Sequence, residues 1–235
     1  MTGASHKPDS AAAAPLRLPP LYPIIDIDLC RLRGLDPAAL AGAYLAGGAR
    51  LLQIRQKGRD GGGGRLLGLV REVLAQARPA GAIVIVNDRA DVAAMADAGG
   101  VHVGQQDLPP DAVRSIVGPR AIIGLSTHTP EQVDEALHTP ADYIAVGPVF
   151  TTATKDTGYE ARGLELVRYA AARGTPVVAI GGITLANART VLDAGAASVA
   201  VISDLLTDPD PQVRVRLFLQ ALRDPPGPGT RPESV

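Results

Sequence analysis

Short apolar runs rich in β-branched residues alternate with longer amphipathic stretches along nearly the whole of this chain, and that alternation limits the fold more than any other feature. The strand-like runs lie at 21–25, 51–54, 83–86, 101–103, 121–125, 143–146, 177–180 and 198–202. Helical stretches follow at 37–46, 65–77, 90–98, 110–117, 130–138, 163–173, 185–194 and 211–222. Eight β/α units in a chain of 235 residues predict a single-domain α/β protein, a (β/α)8 TIM barrel over 21–223 with its site on the C-terminal rim. An open doubly wound sheet usually needs fewer strands, and no G-x-G-x-x-G opens the first helix. Residues 1–20 and 224–235 are rich in small residues and Pro and show no apolar period, so they are expected to be disordered arms.

Composition narrows the function. Hydrophobic residues make up 46%, enough for a sizeable core, and a net charge of -1 gives no reason to expect nucleic acid or an anionic membrane surface. Aromatic residues are 3% with no Trp, which disfavours base-stacking platforms. The single Cys30 excludes an internal disulfide framework and a Cys-rich metal site, and fits a reducing compartment. No apolar run is long enough to span a bilayer, and no cationic leader precedes an apolar segment. The expectation is a soluble cytoplasmic protein that acts on small molecules, with a homo-oligomer left open.

Chemistry concentrates just beyond the strands. The stretch 82–107, AIVIVNDRADVAAMADAGGVHVGQQD, reads as strand, helix and strand, so Asp88 and Asp107 stand side by side on one rim. Either Asp alone is explained as a helix cap. Together, with Asn87 beside them, they suit a hard cation such as magnesium, which takes oxygen ligands and keeps part of its shell for water and phosphate. Lysine is confined to Lys7, Lys57 and Lys155, and both body lysines fall on this rim. Arg55, Lys57 and Asn87 are expected to face the Asp pair, which suggests a magnesium-bound diphosphate. Across the rim, Gly181-Gly182 and Ile202-Ser203 follow the seventh and eighth strands, where barrels commonly hold phosphate on backbone N–H groups. Thr152 and Thr154 can add hydroxyl donors there. Such a rim is built for two phosphorylated ligands side by side. Asp60 to Gly64 reads as a flexible loop edge. His128 is read as hydrogen-bonded near a helix start, His102 as structural within a strand, and Cys30 as no nucleophile.

The motifs QIRQK (53–57), VNDR (86–89), HVGQQD (102–107), GLSTHT (124–129), GPVFTTATK (147–155), GGI (181–183) and VIS (201–203) resemble the thiamine-phosphate synthase family. The resemblance runs from about Leu21 to Leu222. It implies a (β/α)8 barrel that condenses hydroxymethylpyrimidine diphosphate with thiazole phosphate, giving thiamine phosphate and diphosphate. It also implies that Gln53, Ile54, Arg55, Gln56, Lys57, Asn87, Ser126 and Lys155 hold the pyrimidine diphosphate. Thr152, Thr154, Gly182, Ile202 and Ser203 would hold the thiazole phosphate, and Asp88 and Asp107 would bind Mg2+. Gln56 departs from the family's usual Glu. Two other readings stand beside this one. A thiazole tautomerase on a similar barrel would use His128 as a base and need no diphosphate half. A non-catalytic barrel binding one phosphorylated ligand would not need the carboxylate pair.

Overall fold

The computed structural model describes residues 16–58, 62–151 and 160–223. Eight strands, β1 (Leu21–Asp26), β2 (Leu51–Arg55), β3 (Ile83–Asn87), β4 (Gly100–Val103), β5 (Ile122–Thr127), β6 (Tyr143–Val146), β7 (Val177–Ile180) and β8 (Ser198–Val201), form a closed barrel in sequence order. Every pairing is parallel, and β8 returns to β1 through Leu21↔Val199, Tyr22↔Ala200 and Pro23↔Val201. The expected (β/α)8 barrel is the fold observed.

The helices are α1 (Ile27–Leu32), α2 (Pro37–Ala46), α3 (Gly63–Ala77), α4 (Ala90–Ala96), α5 (Pro110–Val117), α6 (Pro130–Ala136), α7 (Gly163–Ala171), α8 (Ala188–Asp193) and α9 (Pro211–Arg223). Their starts follow local chemistry. Pro opens α2, α5 and α6, where its missing N–H costs nothing, and Asp36 accepts from Ala38 N at 3.1 Å to cap α2. The short α1 was not expected. Asp26 ends β1 and caps α1 by accepting from Leu29 N at 3.0 Å, so strand passes into helix with no loop between them.

Alternation along the strands separates two buried layers. Leu21, Ile25, Leu52, Ile54, Val84 and Val86 belong to the large cluster packed with the helices. Tyr22, Ile24, Leu51, Ile85, Tyr143, Ala145, Val178 and Ala200 form a second cluster inside the barrel, and Leu16 and Leu18 pack against it. The N-terminal arm, read from sequence as 1–20, is therefore tied down from Leu16 onward. Pro20 O also accepts from Val199 N at 2.9 Å.

Two strand ends differ from the expected ones in a way that matters for the site. β5 runs two residues further than the apolar pattern suggests, because Ser126↔Ala145 and Thr127↔Val146 continue the ladder with β6. β3 likewise includes Asn87, paired with His102. Ser126 and Asn87 are thus buried strand residues rather than loop residues. Within β5, Gly124 is required by its neighbours. A Cβ there would lie 2.1 Å from Tyr143 Cζ and 2.5 Å from His102 Nδ1. Gly124→Ala is expected to destabilise the protein by about 2 kcal/mol or more, since overpacking a dense core displaces rigid rings. Denaturant unfolding of the two proteins checks this; equal midpoints would show that the rings move aside freely.

Candidate active site

The cation side of the rim is built by β1 and β2. Arg55 Nη1 donates to Asp26 Oδ2, and both side chains are largely buried. Arg55 is therefore paired with the end of β1, not with the Asp88 and Asp107 pair it was expected to face. Two residues on, Asp28 Oδ2 in α1 accepts from Lys57 N at 3.0 Å and Gly58 N at 2.9 Å. A Cβ on Gly58 would come within 2.7 Å of Asp28 Oδ1, so glycine lets the loop approach the carboxylate. The cap Asp26 and Asp28 of the helix that the sequence reading missed thus position Arg55 and the loop bearing Lys57.

Lys57 is the expected cation that does meet the carboxylates. Its Nζ lies 2.5 Å from Asp88 Oδ2 and 3.9 Å from Asp107 Oδ2. Asp88 reaches this point in a left-handed conformation, φ 61°, with its N–H donating to His102 O at 2.8 Å. A non-glycine residue held there stores strain, a common property of functional positions. Burial pushes the Asp88 carboxyl above its ordinary value; Lys57 opposes the rise and the neighbouring Asp107 adds to it. Burial acts on Asp107 in the same direction. It is outweighed by the Gly104 N–H, which donates to Oδ2 at 2.9 Å, by Asp88 and by Lys57, so Asp107 falls below its ordinary value. Opposite shifts in adjacent carboxyls mark a pair that resists carrying two bare negative charges.

These residues fit a magnesium ion. They offer two adjacent carboxylates, both oxygen donors. Among the described residues no group of three or more His, Cys, Asp or Glu forms a closed cage. A hard cation held by two protein carboxylates keeps ligand positions for water and phosphate oxygens.

Two cavities open at this end of the barrel. A small one of about 20 Å3 lies in the mouth of the barrel and is lined by Tyr22, Gln53, Arg55, Asn87, His102 and Ser126, among others. The buried Asn87 Nδ2 has no hydrogen-bond partner, an uncommon state for a buried amide and a donor available to a ligand. The larger cavity, about 380 Å3, is lined by Ser126, His128, Gly147, Thr151, Gly181, Gly182, Ile202 and Ser203, with others. Its glycines are needed as such. Gly182 has φ 62°, and a Cβ there would lie 2.6 Å from Thr151 O. Ile202 leads into a short 3-10 turn, Ser203–Leu206. Asn187 braces the same wall, with Nδ2 donating to Gly182 O at 3.0 Å. Asp204 ties the 3-10 turn to α9 through Arg214 Nη2 at 2.6 Å.

Most of the sequence-predicted residues converge here. Ser126 and Ile202 line both cavities, so the two halves of the rim adjoin. Ile54 is an exception: its side chain packs with the outer cluster, so only its backbone faces the rim. Thr152, Thr154 and Lys155 lie outside the described residues, as do residues 59–61 of the glycine-rich loop. His128 Nδ1 is 2.5 Å from Gly147 O, which fixes a proton on that nitrogen, and the ring borders the larger cavity. Cys30 is buried, and burial with nearby Asp26 and Asp36 pushes its thiol up to about 11, unsuited to a nucleophile. Asp26, Asp28, Tyr22 and Tyr143 were missed by sequence reading. The spacing Asp26-x-Asp28 at a strand end is a capping signal that marks the first two.

Comparison with known proteins bears on the family. The family described as thiamine monophosphate synthase matches residues 21–205. A thiamine-phosphate synthase of Koribacter versatilis (strain Ellin345) is 45% identical over 218 residues, covering 89% of this chain and 99% of the relative. One from Mycobacterium sp. (strain JLS) is 45% identical over 206 residues, covering 83% and 89%. Among solved structures, thiamine phosphate pyrophosphorylase from Pyrococcus furiosus superposes with TM-score 0.77 at 31% identity, covering 86% of this chain and 95% of that one.

The Asp28 clamp has a measurable consequence. Burial works to raise the Asp28 carboxyl, but the Gly58 and Lys57 N–H groups and nearby arginines hold it below its ordinary value. A carboxylate with a depressed folded pKa stabilises above its unfolded pKa and loses that effect as pH falls through the folded one. Asp28→Ala is expected to speed hydrogen exchange at the Lys57 and Gly58 amides by about tenfold or more at neutral pH, the equivalent of one charge-assisted hydrogen bond. Unchanged exchange would show that the loop is held by something else.

Proposed function

Since the chain belongs to the thiamine monophosphate synthase family, we propose that its divided rim holds hydroxymethylpyrimidine diphosphate beside thiazole phosphate and joins them, releasing diphosphate. The observation that carries the arrangement is Ser126, which borders both the small cavity with Gln53, Arg55 and Asn87 and the larger one with Gly182, Ile202 and Ser203. A ligand bound over the small cavity and one seated in the larger meet at that residue.

The pyrimidine lies at the barrel mouth against Gln53 and Ser126, and Asn87 Nδ2 donates to the same substrate. Arg55, Lys57 and Lys155 bind the diphosphate oxygens. Gln56, next to Lys57, is neutral and adds no negative charge near the diphosphate. Asp88 and Asp107 hold Mg2+, which supplies counter-charge to the diphosphate. The thiazole phosphate sits on the backbone at Gly182 and at Ile202-Ser203, with the hydroxyls of Thr152 and Thr154. The bond between the pyrimidine methylene carbon and the diphosphate oxygen breaks, and both electrons leave with the diphosphate. Fixed cations are best placed to stabilise that developing charge, because they need no reorganisation as it appears. The aminopyrimidine bears the cation left behind, and the thiazole nitrogen lone pair forms the new C–N bond. No side-chain nucleophile or general base is required, which is consistent with the raised Cys30 thiol. A tautomerase would have no use for the paired carboxylates or for Lys57. Among the described residues no helix is long and apolar enough to cross a membrane, and we place the enzyme in the cytoplasm.

The direct test is diphosphate release with both substrates and magnesium, omitting each in turn. Release is expected only with all three; release without thiazole phosphate at the full rate would argue for a hydrolase instead. Asp107→Asn keeps shape but removes charge. It is expected to lower turnover by at least about 10²-fold. Thiazole phosphate affinity should shift by less than about 1 kcal/mol, as for an independent site. Normal turnover of this variant at low magnesium would rule out the two-carboxylate metal site. Lys155→Ala is expected to reduce turnover by about 10²-fold while sparing thiazole phosphate binding. Intact turnover at saturation, with both affinities lowered equally, would place Lys155 on the other half.

A further inference from the structure

A line of hydrogen bonds crosses the inside of the barrel beneath the rim. Gln53 Nε2 donates to Tyr22 OH at 3.1 Å, and Tyr22 OH lies 3.2 Å from Tyr143 OH. Tyr143 OH is 3.0 Å from His102 Nδ1, and His102 Nε2 is 2.9 Å from Ser126 Oγ. All five side chains are buried, and they come from β2, β1, β6, β4 and β5. The His102 and Tyr143 rings stack at 5.7 Å, Tyr22 meets Tyr143 edge-on, and Gly124 leaves the space for both rings. Such a line could run in either direction, and the orientation of the Gln53 amide, with its nitrogen toward Tyr22, sets which.

Each phenol has one proton. Tyr22 OH accepts from Gln53, and the acceptor within its reach is Tyr143 OH. Were Tyr143 to donate to Tyr22 instead, Tyr22 would accept twice and its own buried O–H would be left without an acceptor, a costly state. So Tyr22 donates to Tyr143, and Tyr143 donates to His102 Nδ1. The imidazole is then neutral, with its proton on Nε2, and that proton goes to Ser126 Oγ. The serine hydroxyl is left to donate outward, into the two cavities it borders. At the other end, one proton of the Gln53 amide nitrogen is committed to Tyr22, and with the nitrogen held there the carbonyl oxygen faces away from Tyr22 as an acceptor for a ligand.

We propose that Tyr22, Tyr143 and His102 are positioning residues that fix the hydrogen-bond polarity of the pyrimidine subsite, so that it presents an acceptor at Gln53 Oε1 and a donor at Ser126 Oγ. A heterocycle with an amine donor and a ring-nitrogen acceptor matches this pattern; one with a carbonyl and a ring N–H reverses it. The subsite therefore selects amino over oxo pyrimidines through the line behind Gln53 and Ser126, whose central member, Tyr143, borders neither cavity. The inference rests on the functional reading above and adds to it the source of base selectivity.

The test compares binding of the aminopyrimidine diphosphate with that of its oxo analogue, by calorimetry in the presence of magnesium. The wild-type protein is expected to prefer the amino compound by at least about 100-fold, since a site built for hydrogen bonds rejects a ligand that leaves them unpaired. Tyr143→Phe keeps the ring and its stacking but cuts the line at its centre. The preference is expected to fall below about tenfold, while thiazole phosphate affinity stays within about twofold. Should that variant fail to fold, Tyr22→Phe makes the same cut nearer Gln53 and carries the same expectation. A wild-type preference retained in a folded variant overturns the inference. So does an equal loss of affinity for the pyrimidine and thiazole ligands, which marks a merely structural role. If the wild-type protein binds no pyrimidine diphosphate at all, the functional reading falls first and this inference with it.

Discussion

A closed eight-stranded barrel has to fill its lumen, and the way this one is filled decides what the rim can do. The lower part is apolar, with Leu51 and Ile85 in the inner cluster and Leu16 and Leu18 packed against it. The upper part is a hydrogen-bonded layer of Gln53, Tyr22, Tyr143, His102 and Ser126. Polar groups inside a barrel are tolerable only when they satisfy one another, because an unmet buried donor or acceptor costs more than a typical hydrogen bond gains. The layer therefore has to close on itself except where a ligand completes it. Gly124, without a side chain, gives the rings their room. Asn87 Nδ2, left without a partner at the edge of that layer, marks where the protein's own satisfaction ends.

The rim is organised by charge. Asp26 and Asp28 aim Arg55 and the loop bearing Lys57, while Lys57 lies against the strained Asp88 and its neighbour Asp107. Positive and negative groups thus alternate across a short distance, an arrangement suited to a metal-bound polyphosphate and unneeded by a monophosphate. Across the mouth the wall changes character to glycines, a 3-10 turn and a cavity large enough for a small heterocycle. In the proposed arrangement that wall takes a phosphate on backbone N–H groups, which need no metal.

The barrel was legible because buried parallel strands read as short apolar runs and the intervening helices as amphipathic ones. The carboxylate pair was legible because consecutive parallel strands end on one side. What the sequence hid has physical causes. Helix α1 is six residues long, too short for a helical period to register, and only the Asp26 cap announces it. Ser126 and Asn87 looked like loop residues because polar side chains broke the apolar pattern, although ladder pairing carries both strands through them. The line from Gln53 to Ser126 joins residues separated by as many as 121 positions, and no local pattern records such a contact. His102 was read as structural from its place in a strand. That place is right, and its two ring nitrogens also connect Tyr143 to Ser126.

The central claim is that one rim holds two phosphorylated ligands on different physical principles, one through a metal and fixed cations, the other through backbone and hydroxyl groups. Titration of each ligand separately, with magnesium and then with chelator, tests it most directly. The account predicts that thiazole phosphate binds with the same affinity within about twofold in both conditions, as expected for uncoupled sites. Affinity for the pyrimidine diphosphate should drop by at least about tenfold without the cation. A thiazole phosphate affinity that follows magnesium, or a pyrimidine diphosphate affinity indifferent to it, would contradict the division of the rim.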